Sequence, residues 1–301
     1  MRIRDFKDND NWFGLGLIVP VLLFFIVWNV IPLLWMLGLS FYNYIITLGL
    51  PPRFVGLQNY GALLASQSIW HDIGKTFLFV LVSVLVETII GAIIGYLIWQ
   101  RPKLFGRRLA LTLLFAPMIM APLAVGTFFR LVYDPLYGIV PYYMHVIFGI
   151  PAPNLLGHSL SAFVTLLVTE IWMWTPFMIL MTLAALGAVP KAMMEASLVD
   201  RLTFGQKVRY ILWPTGRFIL ILGILLSTID TFKTYGLVAA MTSGGPGSAT
   251  ELLSIHLYRS AFTNFNMGSS SALAIFSLLA AIAFTSMYLF ILRYNKKEGI
   301  L

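Results

Sequence analysis

The sequence predicts an all-α integral membrane protein. It has six transmembrane helices, both termini cytoplasmic, and a short cytoplasmic helical hairpin between helices 4 and 5. Three observations carry that expectation. Of 301 residues, 59% are hydrophobic and 11% charged, with mean hydropathy +0.87, whereas a soluble domain averages about 25% charged residues. Six apolar stretches are near or above the ~20 residues needed to cross the hydrocarbon core. Fifteen of the twenty Lys and Arg fall in alternate connecting segments, as the positive-inside rule demands. The net charge of +8 is therefore read as a membrane-side bias, not as a nucleic-acid surface. Absence of cysteine excludes disulfides, thiolate metal sites and a Cys nucleophile.

Residues 1–70 read as an N-terminal tail, a first transmembrane helix and an external loop. The tail, Met1–Asn11, carries Arg2, Arg4 and Lys7. The first span runs from Trp12 to about Ser40 with Pro20 and Pro32 inside it, too long for a signal-peptide core and without a following cleavage site, so an uncleaved anchor. Further spans are expected at Phe77–Trp99, Leu109–Tyr133, Ser161–Leu186, Phe218–Met241 and Ala272–Leu292, within a core at 71–294. A tail follows at 295–301. Cytoplasmic segments hold Arg101, Lys103, Arg107 and Arg108; Lys191, Arg201, Lys207, Arg209 and Arg217; and Arg293, Lys296 and Lys297. The external connections are Phe41–Thr76, Asp134–Leu160 and Thr242–Ser271, the second rich in interfacial aromatics.

The chain is organised around its charged loop at 189–214, VPKAMMEASLVDRLTFGQKVRYILWP. Pro190 suits a first helical position, where its missing N–H is harmless. Thr203 and Gln206 have capping-box spacing, so two short helices with a turn at Asp200–Leu202 are expected. Such a hairpin is either a docking surface for a soluble partner or an ordinary solvated loop.

Ionisable groups within spans are expensive and usually functional. At ~1.5 Å per residue, Glu87, Glu170 and Asp230 all lie roughly 13–18 Å deep, near the middle of a ~30 Å core. Lys233 sits one turn from Asp230 and can pair with it. One reading makes these groups a polar substrate path, joined on span five by Ser227, Thr228, Thr231, Thr234 and Tyr235. The other makes Asp230–Lys233 a neutralising pair, and Glu87 and Glu170 interhelical hydrogen-bond glue. Gly91 and Gly95 form a GxxxG packing face beside Glu87. Trp172 and Trp174, deeper than an aromatic belt, suit sugar rings or plain helix packing.

Several motifs fail. Gly74-Lys75-Thr76 lacks the first glycine of a phosphate loop, since Ile69 stands there. Gly244–Gly247 is glycine-rich but external. His71, His145, His158 and His256 fall in external segments without an HExxH or GxSxG pattern, which leaves a metal site or hydrolase unsupported. Any ATP must be bound by another subunit.

Glu195-Ala196-Ser197, Asp200, Ile211 and Pro214 resemble the EAA loop of bacterial and archaeal ABC importer permeases, with Arg201 at that motif's glycine and Trp213 at its leucine. Val55-Gly56-Leu57 with Asn59-Tyr60, Arg130 with Asp134-Pro135 and Gly138, Trp172 with Pro176-Phe177, the Thr242-Ser243-Gly244-Gly245-Pro246 segment followed by Tyr258 and Ala261-Phe262, and Gly268 with Ser271-Ala272 resemble the carbohydrate, maltose-type branch. The resemblance implies a plasma-membrane transport subunit, not an enzyme, with no cofactor of its own. ATP and Mg would be bound by a cytosolic ABC ATPase dimer. A second homologous permease and an extracytoplasmic substrate-binding protein would complete the assembly. By the same resemblance Met194, Glu195, Ala196, Ser197, Leu198, Asp200 and Arg201 would couple to the ATPase, with Met193 and Val199 adding apolar grip. Gly244, Gly245 and Pro246 would form an external loop motif. The cargo would be a sugar or sugar-derived solute: oligosaccharide, sugar acid, polyol or glycerol phosphate. Lys233 either favours an anionic cargo or is neutralised by Asp230. The alternative class is an ion-driven secondary transporter using Glu87, Glu170 and Asp230 as a proton relay, although such carriers usually show repeat symmetry. A membrane-embedded enzyme lacks a nucleophile–base constellation, and a channel lacks a filter.

Overall fold

The computed structural model describes residues 16–103, 105–149 and 153–297. The start of the first span at Trp12 and the basic residues Arg2, Arg4 and Lys7 lie outside the described residues, as do the side chains of Arg293, Lys296 and Lys297 and the tail beyond 297. Two compact units divide the chain, one built from residues 1–66 and 257–278, the other from 67–256 and 279–301.

In the first unit, helix α1 (Gly16–Leu39) is a 24-residue apolar span. Pro32 cannot donate to the carbonyl four residues back, and the turn before it, Ile26–Val30, widens to π-helical geometry. Beyond α1, β1 (Tyr42–Asn43) and β2 (Arg53–Phe54) form a small antiparallel ribbon, followed by α2 (Gln58–Ala65). Asn59 Nδ2 donates to the carbonyls of Ser40 (2.8 Å) and Tyr42 (2.9 Å), and the Tyr60 hydroxyl donates to Ser40 Oγ at 2.8 Å. The Asn-Tyr pair thus ties the chain end of α1 to α2. Gly268 lies against the Tyr42 carbonyl, where any Cβ would clash.

The second unit contains α3 (Gln67–Gln100), α4 (Arg107–Ile119), α5 (Pro122–Val132), α6 (Ile139–Phe148), α7 (Ser159–Gly187), α8 (Lys191–Val199), α9 (Phe204–Phe232), α10 (Gly236–Met241) and α11 (Leu253–Tyr258). Helix α12 (Met267–Lys297) belongs to both units. Among the described residues five helices are long and apolar enough to cross a membrane, and six if the bent α4–α5 pair is one span.

Four expectations are corrected. The third span, predicted unbroken at Leu109–Tyr133, is two helices bent by 99°. Pro122 forces the preceding Ala121 into an extended conformation (ψ 132°). The second span begins at Gln67, not Phe77, because no proline interrupts 67–77. The external connection Phe41–Thr76 is accordingly filled by the ribbon, α2 and three turns of α3. The fifth span stops at Phe232 instead of Met241, and the chain breaks at Lys233–Tyr235 before α10. It also starts early, at Phe204: the π-helical turn Val208–Leu212 lets the helix run through Pro214. Finally, α12 starts at Met267, five residues before Ala272.

Helices α3, α7 and α9 pack mutually, and α5 packs on α10. Gly91 and Gly95 are the reason α3 approaches α7 so closely. A Cβ on Gly91 would lie 2.5 Å from Met178 Cβ, and one on Gly95 2.8 Å from Thr182 Cβ. The buried cluster at one end joins Phe79, Val125, Leu166, Met173, Leu237 and Ile255. A smaller one at the other end joins Leu186, Val189, Ile211 and Leu212.

Candidate functional site: the charged hairpin and the acidic three-helix junction

The charged loop forms α8 and the first turns of α9 on either side of the expected turn at Asp200–Leu202, but the second helix is not a separate short one: it runs on into the fifth span. Pro190 is the residue before the first helix rather than its first member (ψ 136°), and Lys191 opens α8. Thr203 and Gln206 form the capping box that starts α9, with the Thr203 N–H donating to Gln206 Oε1 at 2.8 Å. Between them Arg201 adopts φ +54°, a left-handed conformation that disfavours side chains with a Cβ. It is the position where the EAA motif carries glycine, so the turn is retained despite the substitution. The Leu202 N–H closes it onto the Ser197 carbonyl at 3.0 Å.

This geometry sorts the predicted coupling residues by face. Ser197 is buried and donates to the Met194 carbonyl at 2.6 Å. Met194 packs inward on the Leu186–Val189–Ile211–Leu212 cluster, beside Tyr96 and Trp99. These two anchor α8 on the membrane helices, Met194 with part of its side chain still accessible. Glu195, Ala196, Leu198, Val199, Asp200 and Arg201 are exposed, Leu198 at 66% and Val199 at 83%. Met193 is exposed with them.

The substrate-path candidates also divide. Glu87 on α3 and Glu170 on α7 are fully buried where these helices meet α9. Glu87 Oε2 accepts from Ser227 Oγ at 2.8 Å. Glu87 Oε1, both Glu170 oxygens, Ser83 Oγ and Thr231 Oγ1 are buried without a hydrogen-bond partner. Glu87 thus links α3 to α9 through one hydrogen bond, and both acids are enclosed among the helices. Asp230 pairs with Lys233 at 3.1 Å where α9 ends, with Lys233 69% exposed on the surface of the chain. Trp172 is exposed and meets Phe129 edge-on at 5.0 Å, while Trp174 packs toward the buried cluster and Phe177. Thr234 and Tyr235 occupy the break after α9. The Thr234 carbonyl accepts from Ser254 Oγ at 2.5 Å, and Tyr235 packs on the buried cluster.

The Thr242–Gly247 segment is a compact turn with left-handed Ser243, Gly244 and Gly247 and a cis Gly245–Pro246 bond. Thr250 Oγ1 donates to the Gly245 carbonyl at 2.7 Å, and the Thr250 N–H to Gly244 at 3.2 Å. With Arg130 and Leu156 it borders a pocket of about 330 Å³. Gly74-Lys75-Thr76 lies inside α3 and cannot cradle phosphate. Instead Lys75 Nζ donates to the Ser248 carbonyl (2.5 Å), and the Leu253 N–H donates to Thr76 Oγ1 (2.9 Å). Setting the histidines aside missed one arrangement: His256 Nδ1 lies 2.7 Å from Asp72 Oδ2. A separation of 184 residues leaves no local signal.

Comparisons with known proteins agree with this architecture. The trehalose/maltose transport system permease protein MalF of Thermococcus litoralis is 29% identical over 293 residues, covering 96% of this chain and 97% of that one. The sn-glycerol-3-phosphate transport system permease protein UgpA of Agrobacterium fabrum is 28% identical over 242 residues, 79% of this chain and 80% of that one. A solved bacterial ABC transporter for import of the acidic polysaccharide alginate shares the fold. Its TM-score is 0.78 at 18% identity, over 97% of this chain and 99% of that chain. The family described as binding-protein-dependent transport system inner membrane component matches residues 87–295. That match takes in the three-helix junction, the hairpin and the Thr242–Gly247 turn, and the chain belongs to this family as a multi-pass inner membrane component.

Proposed function

We propose that this chain is the transmembrane permease subunit of an ATP-driven importer that moves a sugar or sugar-derived solute from a binding protein into the cytoplasm. The observation that carries the proposal is the two-faced hairpin. Its inner face, Met194, Ser197 and Leu202, is built into the membrane helices. Its outer face offers Glu195 flanked by exposed Met193, Leu198 and Val199. A charged centre ringed by apolar side chains fits insertion into a cleft of a cytosolic ABC ATPase dimer, which would bind the ATP and Mg. The continuity of α9, from the capping box at Thr203 to Phe232, supplies a rigid lever. Motion of the hairpin would reach the Asp230–Lys233 pair without an intervening loop.

Cargo would meet exposed Trp172 and, at the end of α9, the Asp230–Lys233 pair: an aromatic face and a neutralised ion pair suit a hydroxyl-rich solute. The relatives named above, a trehalose/maltose permease and an sn-glycerol-3-phosphate permease, support that class. A second homologous permease would pair with this one, and an extracytoplasmic binding protein would deliver cargo. The test is Glu195→Lys. The variant should reach the membrane at wild-type level yet lose both ATPase co-purification and ATP-dependent uptake. Uptake at the wild-type rate refutes the coupling role. Binding assays of the partner binding protein against neutral sugars, sugar acids and phosphorylated polyols identify the cargo.

A further inference from the structure

We propose that Asp72, Glu251 and His256 form a zinc site at the end of α3 remote from the hairpin. Their donor atoms all lie within 4.8 Å of one another. His256 Nδ1 is 2.7 Å from Asp72 Oδ2 and 3.7 Å from Glu251 Oε1. Tetrahedral zinc with bonds of 2.0–2.1 Å places neighbouring donors about 3.3 Å apart, so the two observed separations straddle the required one. Shifts of about half an ångström complete a three-ligand shell. The fourth position belongs to water, which enters along the accessible side of His256, 27% exposed.

The surroundings are those of a built site. Asp72 is 3% exposed, so its carboxylate is held in place. Its second oxygen, Oδ1, takes Lys75 Nζ at 2.8 Å, and Lys75 also donates to the Ser248 carbonyl. Oxygens engaged this way orient metal-bound carboxylates in known sites. At ~1.5 Å per residue the 34-residue α3 is about 51 Å long. It overshoots a ~30 Å core, and Asp72 is only its sixth residue, which leaves the cluster at the aqueous end. A mixed imidazole–carboxylate set favours zinc over calcium or magnesium, which prefer oxygen donors alone. On binding, zinc replaces the Nδ1 proton, which moves to Nε2 in neutral His256 or leaves as H⁺ from the charged form. The zinc would join α3 to the segment between the Thr242–Gly247 turn and α11, bridging residues far apart in sequence. This inference does not depend on the transport assignment.

Titration of zinc chloride into the purified full chain in detergent, followed by calorimetry, tests it. Saturable binding of one zinc per chain is expected, absent with calcium chloride. His256→Gln and Glu251→Gln should each weaken it at least tenfold. Lys75→Met, which removes a cation about 5 Å from the metal, should tighten it about tenfold. His71→Gln, on the same helix but outside the cluster, should leave it unchanged. X-ray absorption of the wild-type zinc form should show one nitrogen and otherwise oxygen donors, a readout that survives if a variant fails to fold. No saturable zinc binding by the wild type, or binding indifferent to both His256→Gln and Glu251→Gln, overturns the proposal.

Discussion

Replacing Gly91 with alanine tests the packing on which the three-helix junction rests. The added Cβ would lie 2.5 Å from Met178 Cβ, 2.9 Å from the Met178 carbonyl carbon and 3.1 Å from Ile179 N. Carbon atoms rest at about 3.5–4.0 Å, so α3 and α7 must separate locally by about 1 Å. Two of the three obstacles are backbone, which no rotamer change removes. Overpacking of this kind costs about 1–3 kcal/mol, against a gain of about 1 kcal/mol in helix propensity for Gly→Ala. The expected net effect is a loss of up to about 2 kcal/mol. Gly74, on the same helix with nothing within 4 Å of its missing Cβ, is the control: Gly74→Ala should stabilise by up to about 1 kcal/mol. Met178→Ala should not rescue Gly91→Ala, because the Cβ and backbone that clash remain. Detergent-unfolding curves of the purified variants read all three. If Gly91→Ala is stabilised as much as Gly74→Ala, the close-approach reasoning is wrong.

Three further outcomes follow from the site geometry. Arg201→Gly should be at least as stable as wild type, because glycine relieves about 1 kcal/mol of left-handed strain. Arg201→Val should be less stable, as read by thermal melts. Ser227→Ala should lower stability by about 1–3 kcal/mol by leaving the buried Glu87 carboxyl with no partner, again by detergent unfolding. Thr203→Ala removes the capping box and should cost about 1 kcal/mol. Limited proteolysis should then cut between α8 and α9 faster than in wild type.

The sequence alone located the apolar stretches and the helix starts of the charged loop, though not the bounds of four spans, because hydropathy and helix caps act locally. A run of apolar residues is a span wherever it lies, and Thr203 caps with Gln206 three residues on. Charge bias likewise sets an expected sidedness without contacts. The GxxxG face could be read too, since Gly91 and Gly95 share a helix face by spacing.

Tertiary structure decided what those elements do to one another. Glu87, Glu170 and Asp230 share a depth along their helices, and depth is a property of each helix by itself. Rotation about the helix axis buries the first two against α9 and leaves Asp230 partly exposed beside Lys233, and only packing sets that rotation. Met194 and Ser197 face inward for the same reason, although they belong to the same motif as exposed Glu195. The bend at Ala121 and the uninterrupted passage of α9 through Pro214 show prolines with opposite outcomes. A π-helical turn absorbs one, while an extended residue before the other bends the chain by 99°. His256 meets Asp72 only because α11 folds back onto α3, and no local rule couples residues 184 positions apart.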